Sequence, residues 1–166
     1  MFYMITIGVM VLGIVLDQYT KYLAVAHLQE QPIVVMKDVF ELTYVENRGA
    51  AFGLLQNQQL FFIVVASIAL VFMAMIYVRV PMEKRYLPFR ICLLFIATGA
   101  IGNMIDRVSL NYVVDFFYFK LIDFPVFNVA DIYASVATCA LIPLFLFYYK
   151  DADFDIIFAS LKRKKK

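Results

Sequence analysis

Acidic, amide and guanidinium side chains interrupt the apolar stretches of this sequence at Asp17, Asn103, Asp106, Arg107, Asn128 and Asp131, while Asp115 stands among Val113, Val114, Phe116 and Phe117. An ionisable group inside a membrane-spanning helix costs about 3 kcal/mol on insertion scales, so each of these asks for a reason. Carboxyls where water is scarce suit acid–base chemistry, either hydrolysis or the coupled movement of a proton or ion. Asp115 makes the strongest demand, because a carboxylate in an apolar setting is a liability unless it has a function. The others also admit structural readings. Asp17 and Lys21, one turn apart, form an ion pair; Asp106 and Arg107 anchor a helix end among headgroups; Asn128, three residues before Asp131, caps a helix with an acid in its first turn.

The elements that must position these groups follow from composition. The 166 residues are 64% hydrophobic and 17% charged, a balance that excludes a water-dispersed domain. Four uncharged stretches, 1–16, 60–78, 91–105 and 132–149, reach spanning length when slightly extended, since about 17 to 25 helical residues cross a bilayer core. The reading is an all-α membrane protein, one domain over 1–166, with transmembrane helices at about 3–26, 59–80, 88–107 and 130–149. Residues 1–16 lack a basic leader and a small-residue cleavage pattern, so a retained first anchor is expected. Of fifteen basic residues, four (Arg79, Lys84, Arg85, Arg90) lie between the second and third helices and six (Lys150 and 162–166) follow the fourth. Lys37, Arg48 and Lys120 occupy the other loops, so the positive-inside rule makes both termini cytoplasmic.

Between the first two helices, residues 30–53 form a β-rich outer loop in which Phe40, Leu42 and Tyr44 alternate with Val39, Glu41 and Thr43, the period of a strand resting on the membrane surface. Residues 108–129 read as an irregular surface segment. In the tail, 151–166, Phe154, Ile157, Phe158 and Leu161 form an apolar stripe ahead of a basic run, expected to lie on the inner leaflet near anionic headgroups. Cys92 and Cys139 fall in apolar helix and read as packing residues, and a single histidine, His27, rules out histidine-rich metal clusters. No metal or other cofactor, and no nucleic-acid partner, is expected.

With this orientation the costly polar groups collect in one layer near the outer face. Asn103, Asp106 and Arg107 share a side of the third helix, where Gly99 and Gly102 remove bulk and let another backbone approach. A small proton- or ion-coupled transporter is the rival reading, but transporters bind near the midplane between repeated halves, and this chain has an off-centre layer and no repeat.

Five segments in order resemble the bacterial lipoprotein signal peptidases: Asp17-Gln18-Tyr19-Thr20-Lys21; residues 47–53, beginning Asn47-Arg48-Gly49; Gly99 to Arg107; Val113-Val114-Asp115-Phe116; and Phe127-Asn128-Val129-Ala130-Asp131. The resemblance implies an aspartic endopeptidase with Asp115 and Asp131 as its catalytic pair. Asp17, Lys21, Asn47, Gly49, Gly99, Asn103, Arg107, Asn128 and Ala130 would support that pair or the substrate. It further implies a small extracytoplasmic β-cradle, and substrates that are diacylglyceryl-modified prolipoproteins cut just before the lipid-bearing cysteine. The expected setting is the bacterial cytoplasmic membrane, where the chain meets lipids and works as a monomer.

Overall fold

An apolar run must satisfy its own backbone when water is absent, and the helix is the one local way to do so. The computed structural model, which describes residues 2–49 and 56–157, takes that solution four times. Helix α1 spans Phe2–Leu28, α2 Gln59–Arg79, α3 Leu87–Leu110 and α4 Val129–Pro143, the last continued by a wide π turn over Leu144–Tyr148. All four are long and apolar enough to cross a membrane. Outward-facing side chains such as Met4, Leu60 and Phe147 are left bare, as expected of helices whose solvent is lipid.

Helix α3 is the most buried of the four and packs against each of the others. Its intimacy with α4 depends on glycine. A Cβ built on Gly99 would collide with the Ala130 carbonyl oxygen and lie 3.3 Å from the Ala134 Cβ, while one on Gly102 would lie 2.6 Å from Asp17 Oδ2. Side chains at those two positions would drive α3 away from α4 and α1 together.

Three antiparallel strands in the order β1-β2-β3 form the small sheet: Ile33–Met36, Phe40–Asn47 and Val113–Tyr118. Asp38 accepts the left-handed conformation (φ 58°) that the β1–β2 turn requires. In β2 the anticipated apolar alternation is blurred, because Glu41 is buried and pairs with Lys120 Nζ at 2.7 Å. The larger departure lies in 108–129. Helix α3 runs on to Leu110, Asn111 turns left-handed (φ 64°) and donates its N–H back to the Arg107 carbonyl, and β3 follows at once. The run Val113-Val114-Asp115-Phe116-Phe117-Tyr118 is β-branched and aromatic apart from its aspartate, which explains its strand conformation. Ala24 and Leu28 of α1 pack with Val114 and Phe116 of β3 and tie the sheet to the helices.

At the opposite end a short helix, α5 (Asp151–Ile157), folds back onto the bundle. Asp153 accepts hydrogen bonds from Arg85 Nε (2.7 Å), Tyr86 Oη (3.1 Å) and the Lys150 N–H (2.8 Å). Ile157 is wholly buried among Ile76, Val80, Tyr86, Phe89 and Tyr149. Phe154 and Ile157, expected to face lipid, therefore face protein; Phe158, Leu161 and the basic run 162–166 lie outside the described residues. Ile157→Ala is expected to cost about 2 to 5 kcal/mol. It should lower the thermal midpoint of the purified protein and leave chemistry at the sheet end unchanged, and an unaltered midpoint would show that α5 is not anchored there.

Candidate active site

The polar groups of α1, α3 and α4 and of β2 and β3 do converge, at the sheet end of the bundle. Asp131 is fixed by a reciprocal cap at the start of α4. Asn128 Oδ1 accepts from the Asp131 N–H at 3.0 Å, and Asp131 Oδ2 accepts from the Asn128 N–H at 3.1 Å. Such a box satisfies two otherwise orphaned donors and sets a carboxylate where the helix terminus favours negative charge. Asp131 Oδ1 accepts a further hydrogen bond from Asn103 Nδ2 at 2.7 Å, one turn along α3 from Gly99.

Asp115 reaches the same point from β3, where it is 1% exposed. Its Oδ2 accepts from Asn47 Nδ2 of β2 at 2.8 Å, and its Oδ1 from Asn128 Nδ2 at 2.6 Å. Asn128 Nδ2 also reaches Asn103 Oδ1 at 3.0 Å. The two carboxyls are thus joined through a pair of amides. Burial, followed by the nearby negative charge of Asp131, pushes the Asp115 carboxyl up to about 7, although the amide hydrogen bonds from Asn47 and Asn128 pull the other way. A carboxyl titrating there beside a second acid gives a pair that carries one proton near neutral pH.

Beneath the pair lies a buried ionic floor. Lys21 Nζ contacts Asp17 Oδ2 (2.9 Å), Asp106 Oδ2 (3.0 Å) and Asn103 Oδ1 (3.0 Å). Asp17 Oδ1 accepts the Ala130 N–H at 2.9 Å, and Asp106 Oδ2 accepts the Val114 N–H at 3.1 Å, so the floor grips the first turn of α4 and the strand residue before Asp115. Of the open readings for Asp17 and Lys21, the structural ion pair is what the geometry contains. Asp106 does not reach out to headgroups; it turns inward to Lys21.

Above the pair a cavity of about 500 Å³ is lined by Asp115, Asp131, Asn47, Gly49 and Arg107, with the Phe124–Phe127 segment as an apolar wall. Gly49 donates its N–H to Asn47 Oδ1 at 3.1 Å and so aims the Asn47 amide at Asp115. The residues from Ala50 to Gly53 lie outside the described set. Arg107 stacks over Phe62 (4.9 Å), and its Nε is buried with no hydrogen-bond partner among the described residues. Gly99 and Ala130 lie below, at the α3–α4 contact. Two contributors escaped the sequence reading. Gln18 Nε2 ties Asp106 Oδ1 (2.8 Å) and the Gly102 carbonyl (3.2 Å) to α1, and Ser135 lines the cavity one turn after Asp131. The spacing from Asp131 carried the Ser135 signal, whereas Gln18 stood in the Asp17–Lys21 segment without a role assigned to it.

The family model described as signal peptidase (SPase) II matches residues 9–147. The chain is 44% identical over 138 residues to a lipoprotein signal peptidase of Clostridium tetani, covering 81% of this chain and 87% of that one. It is 49% identical over 136 residues to one of Caldanaerobacter subterraneus, covering 80% and 89%. Among solved structures, a bacterial membrane enzyme determined in meso at 2.3 Å superposes with a TM-score of 0.76 at 26% identity, covering 97% of this chain and 93% of that one. The transporter reading finds no support in these matches.

Proposed function

This chain belongs to the signal peptidase II family, and from that premise we propose that Asp115 and Asp131 are the acid–base pair with which it removes the signal peptides of lipoproteins. It is a bacterial multi-pass membrane protein and a peptidase. The observation that carries the assignment is the joint suspension of the two carboxyls on Asn103 and Asn128 at the base of one cavity.

In the proposed reaction, ionised Asp131 takes a proton from a water molecule and the hydroxide attacks the scissile carbonyl. Protonated Asp115 stabilises the oxygen as it becomes negative, and the departing amine leaves with a proton from the pair. The start of α4 and its cap favour the charge on Asp131, while burial favours the proton on Asp115. Arg107, which lines the cavity beside the pair, holds a peptide carbonyl of the substrate. The substrate is a prolipoprotein bearing a diacylglyceryl group on cysteine, cut just before that residue. The apolar Phe124–Phe127 wall and the exposed apolar helices suit a lipid-bearing chain. One chain supplies every residue of the site, so it works as a monomer and as a single unit. Both termini are cytoplasmic and the cavity opens at the outer face in this reading, which the excess of Lys and Arg in the second loop and tail supports.

The test is cleavage of a purified diacylglyceryl-modified prolipoprotein against the unmodified form, followed over pH. Only the modified form should be cut. The rate should fall as pH rises past about 7, where Asp115 loses its proton. Asn47→Ala removes a donor that favours charged Asp115, so its pKa rises and the alkaline limb moves to higher pH. An unmoved limb would take the proton away from Asp115, and equal cutting of both substrate forms would remove the lipid requirement.

A further inference from the structure

We infer that Lys21, which does not line the cavity, is a positioning residue that sets the direction of the hydrogen bonds reaching both catalytic carboxyls by fixing the amide of Asn103. The inference rests on the assignment of Asp115 and Asp131 above.

An amide side chain offers an acceptor at one end and donors at the other, and its orientation follows from its neighbours. All three hydrogens of the Lys21 ammonium are committed, to Asp17 Oδ2, Asp106 Oδ2 and Asn103 Oδ1. A cation facing Asn103 forbids the flipped amide, whose NH₂ would point at the ammonium. Asn103 must therefore give its oxygen to Lys21 and its Nδ2 to Asp131 Oδ1. The same oxygen accepts Asn128 Nδ2. Asn128 in turn is held with its oxygen on the Asp131 N–H, leaving Nδ2 for Asp115 Oδ1. One ammonium thereby polarises two amides in series, and each delivers a donor to a carboxylate. Without the charge, the Asn128 Nδ2 donor alone holds the Asn103 oxygen in place, and the flipped amide, whose oxygen would face Asp131 and favour its protonated form, is opposed by one donor instead of two.

The effect is also electrostatic. Asp115 faces Asp131 from α4, Lys21 from α1 and Arg107 from α3, with neutral Asn47 and Asn128 in contact, and the Lys21 charge lowers its pKa. Asp106 of α3 reaches β3 at the neighbouring Val114, and on the rim Glu46 of β2 pairs at 2.7 Å with Arg48, just past the strand's end. Lys21 is thus a buried cation that opposes the mutual repulsion of the pair while being sealed from substrate.

The experiment is steady-state kinetics of purified Lys21→Met on a diacylglyceryl-modified prolipoprotein across pH. The kcat should fall at least tenfold, since losing the group that orients a general base costs a hydrolase up to about 10⁴. KM should change by no more than about twofold, and the alkaline limb should move to higher pH. A kcat near wild type, or a reduced kcat with the limb in place, overturns the inference, the second outcome marking a merely structural lysine. If Lys21→Met does not accumulate, Lys21→Gln keeps a donor without the charge and is read by the same criteria. If neither accumulates, Asn103→Leu leaves the Lys21–Asp17–Asp106 triad whole and should show the same loss, with a wild-type rate overturning the relay. Asp115→Asn run alongside separates the two readings. If it stays active, the carboxyl pair itself is wrong; if it is inactive while the Lys21 variants match wild type, only the relay falls.

Discussion

Asp115→Asn and Asp131→Asn each reduce cleavage of a lipid-modified prolipoprotein by at least about a thousandfold, the scale on which general acid–base groups and oxyanion stabilisation act together. The expectation is a loss of chemistry and not of insertion, because both changes preserve shape. Their structural costs differ. Both Asp115 oxygens accept amide hydrogens, so an asparagine there must turn one donor toward another, at about 1 to 3 kcal/mol. Asn47 relieves this by rotating, at the expense of its bond to the Gly49 N–H. Asp131 has less latitude, since its oxygens serve the α4 cap and Asn103, and its variant should be the less stable of the two. Activity of either purified, folded variant within tenfold of wild type would end the assignment of the pair.

Gly99→Ala is the second large effect, and it involves a residue that performs no chemistry. The added methyl would occupy the space of the Ala130 carbonyl oxygen, with the Ala130 carbonyl carbon 3.2 Å away. Backbone cannot rotate aside as a flexible side chain does, so α3 and α4 must separate. Asn103 lies one turn further along α3, and its 2.7 Å bond to Asp131 spans the gap that opens. A displacement of about 1 Å at such a site costs about a hundredfold in rate. The expected result is that loss together with a lower thermal midpoint. Gly8→Ala, on a glycine with nothing within 4 Å of an added Cβ, serves as the control and should match wild type. Full activity in Gly99→Ala would mean that the helices tolerate the separation.

The transmembrane elements were legible in the sequence because an uncharged run of spanning length has a single structural solution, and the polar residues were legible because each violates that run at a cost. Asp115 was visible for the same reason. Strand β3 was not, because the aspartate and the nearby Asp123 and Pro125 suggested irregular chain, while its pairing depends on β2, some seventy residues earlier in sequence. For Asn103 and Asn128 the sequence suggested the right neighbourhood but not which carboxyl each one serves. Asn103 serves Asp131 and not Asp115, and Asn128 serves both carboxyls. Which end of an amide faces which group is a property of the assembled cluster, so no local spacing reveals it. The tail shows the opposite failure. Its apolar stripe was real, but a stripe does not say whether lipid or protein will cover it, and Phe154 and Ile157 pack on the bundle.

The pairing of β2 with β3, together with the clasp between the Ala130 N–H and Asp17, stitches the beginning of the chain to its end. Asn47 must wait for Asp115 to be made, and both must wait for Asn128 and Asp131. If those two carboxyls are the acid–base pair proposed above, a ribosome that has delivered three helices has delivered no hydrolase. On the proposed assignment of Asp115 and Asp131, the nascent polypeptide acquires its cutting power only once α4 has joined the other helices.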